Sequence, residues 1–354
     1  MGKKYNKENR KAVEGIEKLK RRVALVGCGN IANVHAALLS GMENVELCAF
    51  ADCRKERAIN FAERYGKGVA RAYERLEELL VSEKPDVIHI CTPHFLHVPM
   101  AVKALDSGCA VFMEKPPAMT MEQFEQLKEA YGRNNNYLGV CFQNRYNAST
   151  RKMDELLGEG RLGEVKGGRA FVTWNREAEY YGYSDWRGKL STEGGGVLIN
   201  QSIHTLDLLL HWMGEPEDVE ASACNHHLNG VVEVEDTIEI FLRFPGGKRV
   251  CFYATTAYVS DSPVLLELEC ARGRIRLEEE KISVKYCDGE EEIYFLKAGD
   301  IPGKSYWGSG HAACITDFYR CLESGTEYMN NLSSVENTMR VMSKAYERAG
   351  VYKE

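Results

Sequence analysis

The 354-residue sequence contains no apolar run near the roughly 18 residues that a membrane-spanning helix requires. Runs such as Val23–Val26 and Val197–Ile199 are far too short, so no membrane is expected as a partner. Long basic stripes are also missing and the formal net charge is −7, which leaves nucleic acid without an electrostatic footprint. No CxxC pair occurs among the 12 cysteines, which argues against structural zinc, and no metal is expected. Instead Cys28, Cys48, Cys91, Cys109, Cys141, Cys251 and Cys270 lie in apolar, strand-like runs, where a thiol behaves as a small hydrophobe. The lysine-rich stretch from Met1 to Arg22 lacks the apolar centre of a signal peptide. Free thiols without an export signal make the cytoplasm the expected compartment. Internal repeats and low-complexity tracts are absent.

What is present is an ordinary globular composition, 44% hydrophobic and 27% charged, on a chain longer than one compact domain. Residues 1–20 form a polar extension with too few apolar positions to fix a helix over Lys7–Leu19. From Arg21, β-prone runs at Val23–Val26, Val45–Ala51, Val87–Cys91, Ala110–Met113 and Tyr137–Phe142 alternate with helical spacing. The intervening helices are predicted at Ile31–Ser40, Lys55–Tyr65, Tyr73–Val81, Val98–Asp106 and Met121–Asn134. Strand and helix taking turns imply an α/β fold, a doubly wound parallel sheet of Rossmann type over residues 21–142.

Beyond Phe142 the rhythm changes. Helices are predicted at Ala148–Leu157 and Val197–Met213, with a strand at Val165–Trp174 between them. Six closely spaced strands follow: Glu217–Asn225, Thr237–Phe244, Arg249–Thr256, Val264–Cys270, Arg274–Leu277 and Ile282–Tyr286. Their short connections imply antiparallel pairing. Helices at His311–Glu323 and Ser334–Ala349 complete an α+β domain over 143–354 with an open, mainly antiparallel sheet. An exposed apolar remainder of the sheet would favour a homo-oligomer, dimer or tetramer, while a monomer with a water-facing sheet is equally lawful.

The motif Gly27-Cys28-Gly29-Asn30-Ile31-Ala32 follows an apolar strand and opens a helix, the context of a dinucleotide fingerprint. Gly27 permits the tight turn, Gly29 lets backbone approach a pyrophosphate, and Ala32 stands for the third glycine where helix and strand pack. The helix N-terminus at Asn30 and Ile31 offers amides to the anion. Twenty residues beyond Ala32, Asp52 ends the second strand, placed to accept from ribose hydroxyls, which favours NAD. Arg54 can instead meet a 2′-phosphate, so NADP stays open.

Two further segments, Cys91-Thr92-Pro93-His94-Phe-Leu-His97 and Glu114-Lys115-Pro-Pro117, together resemble the Gfo/Idh/MocA oxidoreductases. A third, Gly194-Gly-Gly-Val-Leu-Ile-Asn200-Gln-Ser-Ile-His204-Thr-Leu-Asp207, looks like the glycine-rich approach to that family's active-site histidine. The Gly-x-Gly-His311 segment with Asp317-Phe318 extends the likeness over roughly residues 21–350. The resemblance implies that the turn carrying Thr92, Pro93, His94 and His97 lies beside the nicotinamide, with His94 where Asn is common. It implies that Lys115, after Glu114, reaches the active site. It also makes Trp186-Arg187 and Gln143-Asn144-Arg145 cofactor or substrate contacts.

The strand ends carrying these motifs gather at the carboxyl edge of the sheet, where such folds bind ligands. Asn200, His204 and Asp207, spaced by four and three, share one helix face that can look across at Lys115. Oxidation of an alcohol needs a base within hydrogen-bond reach of the hydroxyl, and Lys115 and His204 are assigned that proton transfer jointly. A desolvated lysine beside a cationic nicotinamide has a lowered pKa. Asn200, where the family often has Asp, orients substrate, and Asp207 orients the imidazole or the substrate. Tyr180, Tyr181, Tyr183 and Trp307 stack on sugar faces or pack. His311 is a candidate helix cap, and His35, His89, His211, His226 and His227 are read as structural.

The expected activity is hydride transfer between NAD(P) and a CH–OH group of a sugar, cyclitol or sugar derivative, a small-molecule partner. Two alternatives stand beside it. One is a glycoside-cleaving enzyme that recycles bound NAD through transient sugar oxidation. The other is a non-catalytic NAD(P)-binding regulator.

Overall fold

The computed structural model describes residues 20–134, 136–296 and 310–352. The first domain runs β1 Arg21–Val26, α1 Asn30–Gly41, β2 Val45–Ala51, α2 Lys55–Tyr65, β3 Arg71–Tyr73, α3 Leu76–Glu83 and β4 Val87–Ile90. It continues with α4 His97–Asp106, β5 Ala110–Glu114, α5 Met121–Asn134 and β6 Leu138–Cys141. The six strands form one parallel sheet in the order β3-β2-β1-β4-β5-β6. Central strands carry helices on both faces, so Val23–Val26 and Val87–Ile90 are buried at every position and read as unbroken apolar runs rather than alternating ones. Helix α2 forms because Ala58, Phe61 and Tyr65 recur at three- and four-residue spacing and bury one side.

Strand β3 escapes the sequence reading because it has three residues, none fully buried, on the sheet edge. Its pairing of Tyr73 with Ala51 takes Tyr73 out of the predicted helix, which begins at Leu76 instead.

The second domain begins with α6 Ala148–Gly158, β7 Val165–Thr173, α7 Ala178–Gly182 and α8 Leu190–Glu193. A π-helical segment at Val197–Ser202 leads into α9, Ile203–Met213. Then come β8 Asp218–Cys224, β9 Thr237–Arg243, β10 Arg249–Thr255, β11 Leu265–Cys270, β12 Gly273–Glu278, β13 Lys281–Tyr286 and β14 Glu291–Phe295. Helices α10 Gly310–Ser324 and α11 Leu332–Ala349 follow. The sheet order is β14-β13-β12-β11-β7-β10-β9-β8, and all neighbours are antiparallel except β7 with β10. That exception follows from α9 and two strands intervening in sequence, a connection long enough for a crossover. Strand β14 was not predicted: Glu-Glu-Ile-Tyr-Phe on an exposed edge buries none of its residues fully.

One sheet face is apolar, with Ala170, Val172, Ile240, Phe252 and Leu268 buried, and α9 covers it with Leu206 and Leu209. The other face carries Arg169, Phe171, Glu239 and Tyr253, as an open sheet requires. The expected boundary near 142 needs one correction in three dimensions. Helix α10 packs into the first domain's core, with the rings of Phe318 and Phe112 5.0 Å apart. Among the described residues no helix is long and apolar enough to cross a membrane.

Candidate active site

At the carboxyl edge of the parallel sheet, a cavity of about 1650 Å³ separates the two domains. The β1–α1 turn forms one wall. Gly27 has φ +88°, and a Cβ there would meet the Cys91 carbonyl oxygen at 2.6 Å, so only glycine fits. Gly29 is different: a Cβ there would touch nothing within 4 Å. The turn leaves that space open on the cavity side, beside the N-terminus of α1, which is the shape a pyrophosphate needs. Asn30 and Ile31 line the cavity, while Ala32 is fully buried behind it, packing rather than touching.

Asp52 is fixed by the turn it faces. Its Oδ2 accepts from Cys28 N at 2.8 Å and its Oδ1 from Arg54 N at 2.9 Å. Oδ1 also accepts weakly from Cys53 Sγ at 3.8 Å, and Oδ2 keeps a lone pair for a ribose hydroxyl. The Arg54 side chain is engaged elsewhere, 3.1 Å from Asp185 of the aromatic loop, an exposed ion pair across the cavity mouth.

Thr92, Pro93 and His94 line the next wall. Thr92 Oγ1 is buried without a partner, an orphan polar atom at the ligand side. His94 Nδ1 donates to the Glu193 carbonyl at 2.8 Å and its ring lies 4.8 Å from that of Trp186. Burial, with the charges of His97 and Lys115, holds His94 well below the usual imidazole range. His97 does not reach the cavity and is corrected from cofactor contact to fastener: its ring nitrogens lie 2.8 Å from the Thr92 carbonyl and 2.7 Å from that of Pro116.

Glu114 lines the cavity and ends a buried chain. His35 Nε2 lies 3.0 Å from Glu114 Oε1, His35 Nδ1 2.9 Å from His89 Nδ1, and His89 Nε2 3.0 Å from the Tyr319 hydroxyl. Burial pushes Glu114 up, but the hydrogen bond and charge of His35 outweigh it and hold the carboxyl below the ordinary range. His35, Glu114 and Cys141 are the cluster closest to metal-ligand spacing among the described residues, and His35 and Glu114 are already bonded to each other.

Lys115 projects from the end of β5 to the other domain, where its Nζ donates to the Asn200 main-chain oxygen at 2.8 Å. Burial lowers its pKa, and Arg187 adds to that while Glu114 and Glu193 oppose. His204 lines the same cavity, its Nε2 3.4 Å from Gln143 Nε2 and its Nδ1 buried without a partner. Burial first, then the Lys115 charge, drives His204 well below its usual range, so the imidazole is neutral.

Asn200 stands in the π-helical segment rather than the uninterrupted α-helix that its spacing suggested. π-Bulges recur at functional sites because they re-aim side chains. Two placements are corrected here. Asp207 and Arg145, expected in the site, are absent from its walls and bind each other in a buried bidentate pair at 2.7 and 2.6 Å. Thr338 donates to Asp207 and the Ser334 carbonyl accepts from Arg145, so the pair pins three segments together. Asn144, beside Arg145, does line the cavity.

Trp186 and Arg187 line it as well, with the Arg187 guanidinium 4.6 Å from the Tyr180 ring. Tyr180 and Tyr183 face the cavity, Tyr181 is buried in packing, and Trp307 lies outside the described residues. His311, the second residue of α10, lines the cavity, and burial pushes it down to about 4. Sequence reasoning missed two buried acids. Glu193 is raised to about 7 by burial and holds Asn200, and Glu235, also raised to about 7 by burial, accepts from Gly196 N and Leu198 N. Glu193 directly precedes the glycine triplet, the one signal that would have marked it.

The family profile described as an oxidoreductase family with an NAD-binding Rossmann fold matches residues 21–142. The GFO/IDH/MocA C-terminal domain profile matches residues 150–276. The sequence is 34% identical over 198 residues to D-glucoside 3-dehydrogenase of Escherichia coli (strain K12), covering 55% of this chain and 54% of that protein. The match thus spans about half that relative's length. Myo-inositol 2-dehydrogenase of Thermotoga maritima is 25% identical, covering 64% and 66%. In fold, the chain is similar to the WlbA dehydrogenase of Bordetella pertussis, solved with NADH and UDP-GlcNAcA, with a TM-score of 0.81 at 24% identity over 94% of this chain and 97% of that one. Levoglucosan dehydrogenase, solved with NADH and levoglucosan, gives a TM-score of 0.82 at 20% identity over the same shares.

Proposed function

The chain belongs to the Gfo/Idh/MocA oxidoreductases, with an NAD-binding Rossmann domain, and on that premise we propose that it interconverts a CH–OH group of a sugar, cyclitol or sugar derivative with the carbonyl. The observation that carries this reading is that Lys115 and His204, from different domains, both line the cavity that the fingerprint turn walls. Relatives named as glucoside and inositol dehydrogenases support the substrate class.

The residues that would hold NAD are Gly27, Gly29, Asn30 and Ile31 at the pyrophosphate, Asp52 at the adenine ribose, and Thr92, Pro93 and His94 toward the nicotinamide. When bound, NAD supplies the hydride acceptor in oxidation. The protein's own task is the proton. Lys115, held by the Asn200 carbonyl with its pKa lowered, takes the hydroxyl proton or stabilises the alkoxide, and neutral His204 shares that transfer. Asn200 orients the substrate. Residues of both domains line the cavity in which the reacting carbon would lie.

The test is to mix purified protein with NAD or NADP and a panel of sugars, glycosides and cyclitols, and their ketones with NADH or NADPH. Substrate-dependent change in nicotinamide absorbance is expected, with NAD preferred. No change with any member of the panel would overturn the reading.

A further inference from the structure

Asn200 faces the cavity with an amide, a group having a donor end and an acceptor end that are free to exchange places unless something fixes them. Here something does. The Asn200 Nδ2 donates to Glu193 Oε1, and Glu193 is only 1% exposed, so it lies behind the amide and out of reach of any ligand. The second Glu193 oxygen accepts from Gly188 N at 2.5 Å, immediately after Trp186 and Arg187 of the aromatic loop. Both oxygens therefore receive donors, an arrangement the ionised carboxylate satisfies and a carboxamide or the protonated acid does not, so the contacts belong to Glu193 above about pH 7. The Glu193 main-chain oxygen receives His94 Nδ1, and the Asn200 main-chain oxygen receives Lys115.

We infer that Glu193 is a positioning residue that sets the polarity of the Asn200 amide, turning its carbonyl oxygen to the cavity beside Lys115 as an acceptor for a substrate hydroxyl. The substrate class this selects carries a free hydroxyl next to the reacting carbon, donating to Asn200 Oδ1 while the reacting oxygen meets Lys115. This inference rests on the oxidoreductase reading for its consequence, but the amide orientation is measurable without turnover.

With a glutamine at 193, one amide hydrogen must face either Gly188 N–H or the Asn200 NH2 group. The strain is relieved when Asn200 turns over, presenting NH2 to the cavity. Exchanging the two functional groups restores the pattern, because an aspartate at 200 accepts from the glutamine at 193 and still offers an oxygen to the cavity.

Two measurements test this. In protein labelled with 15N-asparagine, the Asn200 side-chain NH2 resonances are identified by their loss in Asn200→Asp. In Glu193→Gln these resonances are expected to move and their exchange with D2O to quicken; unchanged resonances and exchange overturn the inference whether or not a substrate is known. Should Glu193→Gln fold poorly, Glu193→Asp, which keeps the charge but withdraws it by one methylene, is expected to move the same resonances at near-parental melting temperature, and no movement again overturns it.

In the second measurement kcat/KM is read for whichever sugar or cyclitol the wild type oxidises. It should fall roughly 10- to 100-fold in Glu193→Gln, the scale of one hydrogen bond to a charged group, and recover by about tenfold or more in the double variant Glu193→Gln, Asn200→Asp. A double variant no better than the single one overturns the inference. A wild type inactive on the whole panel overturns the oxidoreductase reading and leaves the resonance result to decide this one.

Discussion

Lys115 and Asp52 show how a residue's role depends on what surrounds it. An exposed lysine is a solvated charge, but Lys115 is half-buried, donates one hydrogen bond to Asn200 and has its pKa lowered first by desolvation. Where Lys115 takes the hydroxyl proton, oxidation needs the unprotonated amine, so kcat/KM for oxidation should rise with pH through a limb lying below the ordinary lysine value. In Lys115→Met the limb should vanish and the rate fall by about 10²- to 10⁴-fold, the range of general acid–base catalysis. A pH–rate profile of both proteins checks this. Asp52 is held by two backbone amides. Asp52→Asn keeps an acceptor but loses the charge, so NAD should bind roughly tenfold or more weakly while NADP changes less. Cofactor fluorescence titration reads both affinities. Asp52 was legible in the sequence because it ends a strand twenty residues beyond Ala32 of the fingerprint, and Lys115 because its Glu-Lys-Pro-Pro segment resembles a family motif. Glu193 was not, since its importance is a contact with Asn200 that residue type and spacing do not announce.

At the level of elements, the predicted helix over Val197–Met213 is in fact two pieces, π-helical to Ser202 and α-helical after it. Apolar periodicity cannot distinguish these, because both bury Val197, Leu198, Ile199 and Leu206. What fixes the first piece is tertiary: Glu235 accepts from the amides of Gly196 and Leu198, and the Tyr346 hydroxyl donates to Glu235 while Ile199 N donates to that hydroxyl. Burial raises Glu235 to about 7, above the roughly 4.3 of an unperturbed glutamate. The folded state therefore binds a proton that the unfolded state releases, a contribution on the order of 3 kcal/mol, complete below pH ~4 and lost as pH rises through 7. Glu235→Gln cannot titrate. The stability advantage of wild type over Glu235→Gln in urea unfolding should therefore shrink between pH 5.5 and 8.5, and a difference independent of pH would count against this account. The edge strands β3 and β14 were also illegible, being short and scarcely buried, so neither carries the apolar pattern that marks a strand.

For the molecule as a whole, the pair Arg145–Asp207 joins the segment that follows β6 to α9 and α11. Both side chains are almost fully buried, and removing one charge from such a pair strands the other. Asp207→Asn is expected to lower unfolding free energy by about 3–5 kcal/mol in urea. The pH dependence of kcat/KM should keep its shape, because neither residue lines the cavity. A changed pH profile with unchanged stability would return Asp207 to the catalytic group. Spacing had put Asp207 on the face of His204. Its side chain, however, answers to the nearest buried cation, Arg145, 62 residues earlier in the chain.

The sequence by itself determined the parallel sheet and the cofactor turn, because each depends on local periodicity or on residues within one strand–turn–helix unit, while Lys115 and His204 were singled out by the resemblance of their segments to family motifs. Tertiary structure alone decided which polar side chains face the cavity and which neutralise one another. It also decided that α10, late in the chain, completes the core of the first domain. The reason is physical: burial forces every charge and amide to find a partner, and partners such as Glu114 with His35 or Lys115 with the Asn200 carbonyl are distant in sequence and meet only when the chain folds.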